Sequence, residues 1–401
     1  MGVGLGLLAQ TGLTQEAVRA SLAGEAAAAA KHQAATTIGY YNLKLGDLRL
    51  RLTSGVDVEA NDNVNLAEHG AQSDVILRPQ FNSSFDYPLT EHNALNLTLG
   101  AGYSAYLRYG SLNRFFVTPG SALAFDVYVG DWVINLHDRF SVSQEAYQNP
   151  AAAGSGNIGT FDNSSGVSAT WDLNDLIVTG GYDYLLRRST TSGFSQQDAN
   201  THAWYLSGGI RPNSSSVLRV DLGTSLIDRQ TQSDGVQYNA GLSYQATVSE
   251  YISAHAAAGY TIYSLDNSGI AGGGKDVRGM YGSLGVQHRL NRIVSYSLDA
   301  GRDIQIGLFS DILDLYFVRL QSNWKLIRKF SLTTNLSYER GKESGGSGDK
   351  ITRYGAGISL GRSITKKLSA SLSYDFLDRE SELPRRGYHQ NRVMLHGDYA
   401  F

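Results

Sequence analysis

The first chemistry the sequence offers is a hydrolase nucleophile, because Gly357-Ile-Ser-Leu-Gly361 matches G-x-S-x-G. That motif works only where a strained strand-to-helix turn lifts the serine hydroxyl clear of the backbone. Here small and apolar residues alternate through it, which puts Ser359 in mid-strand with Gly357 and Gly361 on the same side, and a structural serine is expected. Gly272-Gly-Gly-Lys275 lacks the spacing and the Ser/Thr of a phosphate-binding loop and reads as a loop tip. The nine His residues are scattered without the paired spacing of a zinc site. His255 and His396 are expected to face water on an inner surface. Asn61-Asp62-Asn63 could hold calcium through loop oxygens, but a plain polar loop is the commoner outcome of such a cluster. The chain has no Cys, which removes thiolate nucleophiles, thiolate metal sites and disulfides. A net charge of −3 supplies no field to draw in nucleic acid. No catalytic residue, metal or cofactor is assigned, and an enzyme would be revived only if Ser, His and Asp converged at one end of the fold.

More telling is how the charges are distributed. Arg49, Arg51, Arg78, Arg139, Arg187, Arg219, Arg289, Arg319, Arg353 and Arg392 fall on the polar side of alternating segments, as do Asp57, Asp86, Asp126, Asp183, Asp221, Asp299, Asp375 and Asp398. Mixed charge on one face of many strands suits a wall lining an aqueous channel, where ions keep their hydration. The same pattern would also arise from a wall that is merely wet and cross-linked.

The elements that carry these residues have a period of two from Asp47 onward. In 93–107, Leu95, Leu97, Leu99, Ala101, Tyr103 and Ala105 oppose Asn96, Thr98, Gly100, Gly102 and Ser104. In 367–380, Leu368, Ala370, Leu372, Tyr374 and Phe376 oppose Ser369, Ser371, Ser373 and Asp375. The pattern predicts about eighteen strands of roughly 12 to 15 residues, against the ~9–11 needed to cross hydrocarbon and the ~5–6 usual in a soluble sandwich. They cover 47–58, 73–87, 93–107, 114–129, 131–144, 161–172, 175–188, 200–212, 216–229, 235–248, 251–265, 277–290, 293–307, 313–326, 329–341, 350–363, 367–380 and 388–401. Short junctions alternate with longer loops rich in Gly, Ser, Asn and Asp. Tyr87, Phe115, Trp132, Tyr251, Tyr296, Trp324, Phe330, Tyr399 and Phe401 sit at strand ends, where interfacial girdles belong. No stretch is long and apolar enough for a spanning helix, and a barrel needs none.

The expected fold class is therefore all-β: a transmembrane, antiparallel, up-and-down β-barrel over 47–401. It is preceded by a short N-terminal helix within a 1–46 leader that is periplasmic or acts as a plug. The helix is read over 14–33, with Thr14 as N-cap and Lys31 and His32 in its last turn. The start lacks the basic region of a signal peptide, so a mature, trimmed or late-begun chain is expected.

The last strand places Val393, Leu395, Gly397, Tyr399 and Phe401 on one face. It resembles the C-terminal strand of bacterial outer-membrane barrels, and the resemblance implies that Val393, Leu395, Tyr399 and Phe401 are read by the barrel-assembly machinery. Glu59-Ala-Asn-Asp-Asn-Val64 followed by Ser73-Asp-Val-Ile-Leu-Arg-Pro-Gln-Phe81 resembles the opening hairpin of the porin-like β-barrels of Gram-negative bacteria, some encoded in exopolysaccharide gene clusters. That resemblance implies an outer-membrane location, and an even strand count with the short turns periplasmic would put both termini in the periplasm. It implies passage of hydrophilic solutes, with exopolysaccharide export as a narrower variant and a blocked, structural or anchoring barrel as the alternative. Its partners would be outer-membrane lipid and lipopolysaccharide, the assembly machinery and a periplasmic partner for the helix, with no nucleic acid.

Overall fold

The computed structural model describes residues 41–90, 93–143, 149–154, 158–230, 234–266, 276–307, 312–344 and 348–401. The helix expected over 14–33 and the Gly272–Lys275 tip lie outside these residues. The chain runs through β1 (Leu43–Leu45), β2 (Leu48–Asn61), β3 (Asp74–Pro88), β4 (Ala94–Tyr106), β5 (Arg114–Val117), β6 (Ala122–Val129), β7 (Trp132–Ser143) and β8 (Thr160–Asp172). It continues through β9 (Leu176–Ser189), β10 (Ala199–Asn213), β11 (Ser216–Arg229), β12 (Gly235–Ser249), β13 (Ile252–Leu265) and β14 (Val277–His288). It ends with β15 (Val294–Ile306), β16 (Ile312–Lys325), β17 (Phe330–Ser344), β18 (Lys350–Ser363), β19 (Leu368–Ser381) and β20 (Tyr388–Ala400).

Each strand pairs antiparallel with the next, except that β5 and β6 each pair with β4 and β7, and β20 returns to β2 from Thr53↔Ala400 to Asn61↔Arg392, closing the sheet. With β1 a short flap on β2 and β5 and β6 sharing one position, the ring has 18 staves. Closure pairs the last stave with the first, so the sheet has no terminal edge strand, the condition for a sheet to stand in lipid.

Two sequence expectations are refined. The strand expected over 114–129 is broken, because Pro119 cannot donate to the ladder and β5 stops at Val117. Gly100 of β4 recovers its partner there from the Ser121 hydroxyl, at 3.0 Å. The boundary at 47 is also crossed, since β1 adds a strand within the expected leader, turning into β2 at Gly46 with φ +62°.

Outward residues form an apolar band, with Leu222, Leu242, Leu284, Leu336, Ile358 and Leu395 all exposed. Aromatic belts bound it. Trp132 stacks on Trp171 at 5.4 Å near the short turns, and Tyr338 meets Tyr354 at 5.4 Å toward the long loops. Tyr316 and Trp324 lie on one strand in opposite belts, and their separation of ~26 Å along a strand tilted ~40° spans ~20 Å of height, near the thickness of an outer-membrane apolar band. Phe401 is exposed, packs against Tyr399 at 5.4 Å and Phe81 at 6.3 Å, and donates its N–H to Leu52 O. Val393, Leu395 and Tyr399 share its outward face.

Candidate solute passage

The inner face follows from the register, because Asp57 faces Arg78 and Arg49 faces Asp86 across the β2–β3 pair while Val58 and Leu77 turn outward. By the same parity, Arg51, Arg139, Arg187, Arg219, Arg319, Arg353 and Arg392 point inward. So do Asp126, Asp183, Asp221, Asp299, Asp375 and Asp398. Arg289 does not belong to the wall. It lies in the turn after β14, its N–H donating to Tyr251 O and a guanidinium N–H to Glu250 O.

From β16 round to β3, inward charges alternate in sign on seven successive staves: Arg319, Glu339, Arg353, Asp375, Arg392, Glu59 and Arg78. Glu339 meets Arg319 at 2.9 Å and Arg353 at 3.4 Å; Asp375 meets Arg392 at 3.7 Å; Glu59 meets Arg78 at 2.6 Å. Glu59 and Glu339 are almost wholly buried, where an unpaired carboxylate would be costly, and these cations pair with them. Four arginines against three carboxylates leave a small cationic excess. On the other side of the ring, Asn135 donates to Asp126 at 2.7 Å, and the His137 ring nitrogens lie 2.8 Å from Asn135 Oδ1 and 2.7 Å from Asp183 Oδ1. His137 and Asp183 sit on β7 and β9, and their bond passes over Gly166 of β8, where a Cβ would come within 2.5 Å of Asp183 Oδ1. His255 and His396 do face inward, beside Asp299 and Asp57.

The long-loop end is filled by chain that sequence reasoning did not place. Asn149–Gly154 springs from between β7 and β8, yet Ala151 and Ala152 are fully buried in a cluster with Leu66, Leu313, Leu315, Ile351 and Tyr388. β16, which carries Leu313 and Leu315, stands nearly opposite β7 and β8 in the ring, so this segment crosses the lumen. Arg379 of β19 anchors it. This fully buried guanidinium donates to Pro150 O at 2.9 Å, to Asp349 at 3.2 Å and to Arg386 O. Gly154 N–H donates to Leu66 O at 2.8 Å, tying in the 62–73 loop. The Asn61-Asp62-Asn63 oxygens serve the same loop, accepting from Asn63 N, Asn391 N and Ala67 N. Their hydrogen bonds are structural, and no group of three metal-ligating side chains occurs among the described residues.

A second layer lies beside the first. Pairing of β14 with β15 stops at Gly282↔Arg302, while β13–β14 continues to Tyr263↔Val277 and β15–β16 to Ile306↔Ile312. The freed β15–β16 tip leans inward, so that Ile304 and Ile312 pack on Ile227 and Tyr263 of the opposing inner wall. Its other face carries Leu313 and Leu315 into the loop cluster.

Ser359 stands in mid-ladder on β18, opposite Thr333 and Ser373, far from any strand-to-helix turn. Glu59, Glu339, Arg379 and the Asn149–Gly154 bridge were missed from sequence. The first three lie on the polar parity and were legible by the rule that found the aspartates. The apolar run Pro150-Ala-Ala-Ala153 inside a loop rich in Gly, Ser and Asn was the signal for the fourth.

No protein-family model matches the chain, and no curated protein matches its sequence. Solved outer-membrane porins share its fold. Acinetobacter baumannii OccAB3 aligns at 12% identity over 89% of this chain and 100% of that one, with a TM-score of 0.52. Pseudomonas aeruginosa OccK5 (OpdH) aligns at 12% identity over 89% and 99%, with a TM-score of 0.53. OccK2 (OpdF) of the same organism, solved in complex with glucuronate, aligns at 14% identity over 89% and 99%, also at 0.53. At such identities the likeness establishes the barrel fold and nothing finer.

Proposed function

We propose that the chain is an outer-membrane channel for small hydrophilic solutes, with the short turns and both termini in the periplasm. The observation that carries this reading is a closed barrel, apolar outside between two aromatic belts, whose polar inner wall is open to water toward the short turns along β12, β13 and β17. A passage narrowed by internal loops and edged by alternating charge suits solutes that exchange hydration for paired wall groups. Small carboxylates fit the cationic excess of the belt, and glucuronate, bound by one structural neighbour, is the natural probe. Polysaccharide export would need a clear thread through the mouth, and nothing in the packing of Leu66 and Ala151 favours it.

The outward Val393, Leu395, Tyr399 and Phe401 support reading by the assembly machinery, since all four side chains are exposed on one face at the end of the chain. A periplasmic partner for the 1–46 segment stays a proposal on sequence grounds alone. The second reading, an anchoring barrel with a blocked pore, is favoured by the fully buried apolar layer at the mouth. Planar-bilayer recording separates the two. The channel reading expects discrete conductance steps with a modest anion preference that glucuronate reduces, whereas silence across a range of salts would overturn it.

A further inference from the structure

Above the upper aromatic belt, the outward rim of β15–β18 gathers cations whose placement calls for an external anion. Tyr316, Tyr338 and Tyr354 mark the belt there, all exposed. Arg340 stands directly opposite Tyr316 across the β16–β17 pair, one outward step beyond Tyr338. The next outward step on β17 is Lys342, and the register sets it directly opposite Lys350 of β18. Two ammonium groups as a direct cross-strand pair repel unless an anion lies between them. Asp314, the carboxylate facing Lys342 on the other side, does not relieve this. Both its oxygens are taken by Arg302 at 2.9 Å, and the Arg302 guanidinium also lies over the Tyr316 ring. Lys350 has Glu382 at 2.8 Å, with both side chains more than half exposed. Arg340 and Lys342 have no carboxylate partner among the described residues.

The rest of the rim differs. Arg278 pairs with Asp276, and Arg188 bonds to Asn200 and to the carbonyls of Arg187 and Ala199. On the far side of Lys350, β19 presents Asp378 and Glu380 outward, with Glu382 just past its end, and these would push an anion back toward β17. The cations stand one and two outward steps beyond Tyr338, about 7 and 14 Å along the strand, at the height where headgroups begin.

We propose that Arg340, Lys342 and Lys350 form a binding site for the phosphate groups of an outer-leaflet glycolipid of the bisphosphorylated lipid A type. A phosphate between Lys342 and Lys350 would convert their repulsion into two charge-assisted bonds, and Arg340 can hold a second phosphate oxygen pair in its planar fork. The acyl chains would then descend along the apolar band below Tyr338 and Tyr354. This inference rests on the outer-membrane reading, and its test separates the two.

The experiment is native mass spectrometry of the detergent-purified full chain and its R340Q/K342Q/K350Q variant, titrated with bisphosphorylated lipid A and with the same lipid dephosphorylated. All three side chains are exposed and none faces the lumen, so heat-modifiable gel migration and bilayer conductance should match wild type and certify folding. The expected result is about tenfold weaker retention of the bisphosphorylated lipid by the variant, as loss of two or three charge-assisted bonds implies, and equally weak retention of the dephosphorylated lipid by both proteins. Equal retention of the bisphosphorylated lipid by both proteins would overturn the site. Displacement by an equimolar amount of inorganic phosphate would also overturn it, by making a free anion the ligand. Insertion of wild-type protein into vesicles, scored separately, reports on the membrane reading whichever way the lipid result falls.

Discussion

Along β12, β13 and β17 the two halves of the lumen are built from one wall and behave as different materials. On β12, inward Gln237 and Asn239 are buried toward the long loops, while Gln245 on the same face toward the short turns is exposed. On β13, Thr261 and Tyr263 are buried and His255 is half exposed. On β17, Glu339 and Glu343 are buried and Ser331, Thr333 and Asn335 are not. Strand alternation is identical through both halves, so the difference comes from what is inserted: the Asn149–Gly154 bridge, the 62–73 loop and the leaning β15–β16 tip. Period-two patterning makes the tube, and loop packing decides how much of it conducts.

The largest effect on this contrast is expected from cutting the bridge. Replacing Asn149–Gly154 with a shorter Gly-Ser link removes Ala151 and Ala152 from the cluster and Pro150 from Arg379, and single-channel conductance should rise severalfold. An unchanged conductance would show that the bridge lies off the path.

Next in size is Arg379→Ala. It strands the fully buried Asp349 without its closest cation, and breaking such a pair costs about 3 to 5 kcal/mol. A drop in thermal stability should come with new protease cleavage near Pro150. Loss of stability without new cleavage would mean that Arg379 braces the wall alone.

On the lipid side, Leu242→Arg in the middle of the apolar band should weaken folding into bilayers by about 2–4 kcal/mol, measured by urea titration in vesicles, and a change near zero would place that face away from lipid. A smaller effect is expected from Glu339→Gln, which frees Arg319 and Arg353 from their shared carboxylate. Reversal potentials in a KCl gradient should then shift further toward anions, and no shift would place the belt outside the ion path.

Much of the barrel was readable in advance because its rules are local. Strand limits such as 216–229 and 350–363 follow from alternation bounded by turn residues, and the structure keeps them. The inward parity of Arg78 or Asp375 follows from the same alternation. Arg289 was misassigned because parity continues in sequence past the point where β14 ends, and no residue type marks that end sharply. The break at Pro119 was written in the chain but was passed over because the flanking residues keep their alternation. What could not be read is long-range: that Ala151 would meet Leu313 across the ring, or that Ile304 would leave β14 and pack on Tyr263. These contacts depend on the closed ring bringing distant staves together, which no local pattern encodes. His137 and Asp183, which meet across Gly166, show the intermediate case, with parity legible and partnership not.

The absence of native cysteine allows the contrast between the two halves to be tested on a single strand. Gln237→Cys and Gln245→Cys share the inner face of β12, the first buried under the loop layer and the second in the open half. In protein reconstituted in vesicles, a small charged thiol reagent should modify the Gln245→Cys variant rapidly. It should reach the Gln237→Cys variant far more slowly, at a rate limited by local opening of the packed layer. Removing the Asn149–Gly154 bridge should bring the two rates together. Equal, rapid modification at both positions with the bridge intact would contradict a lumen narrowed by its own loops.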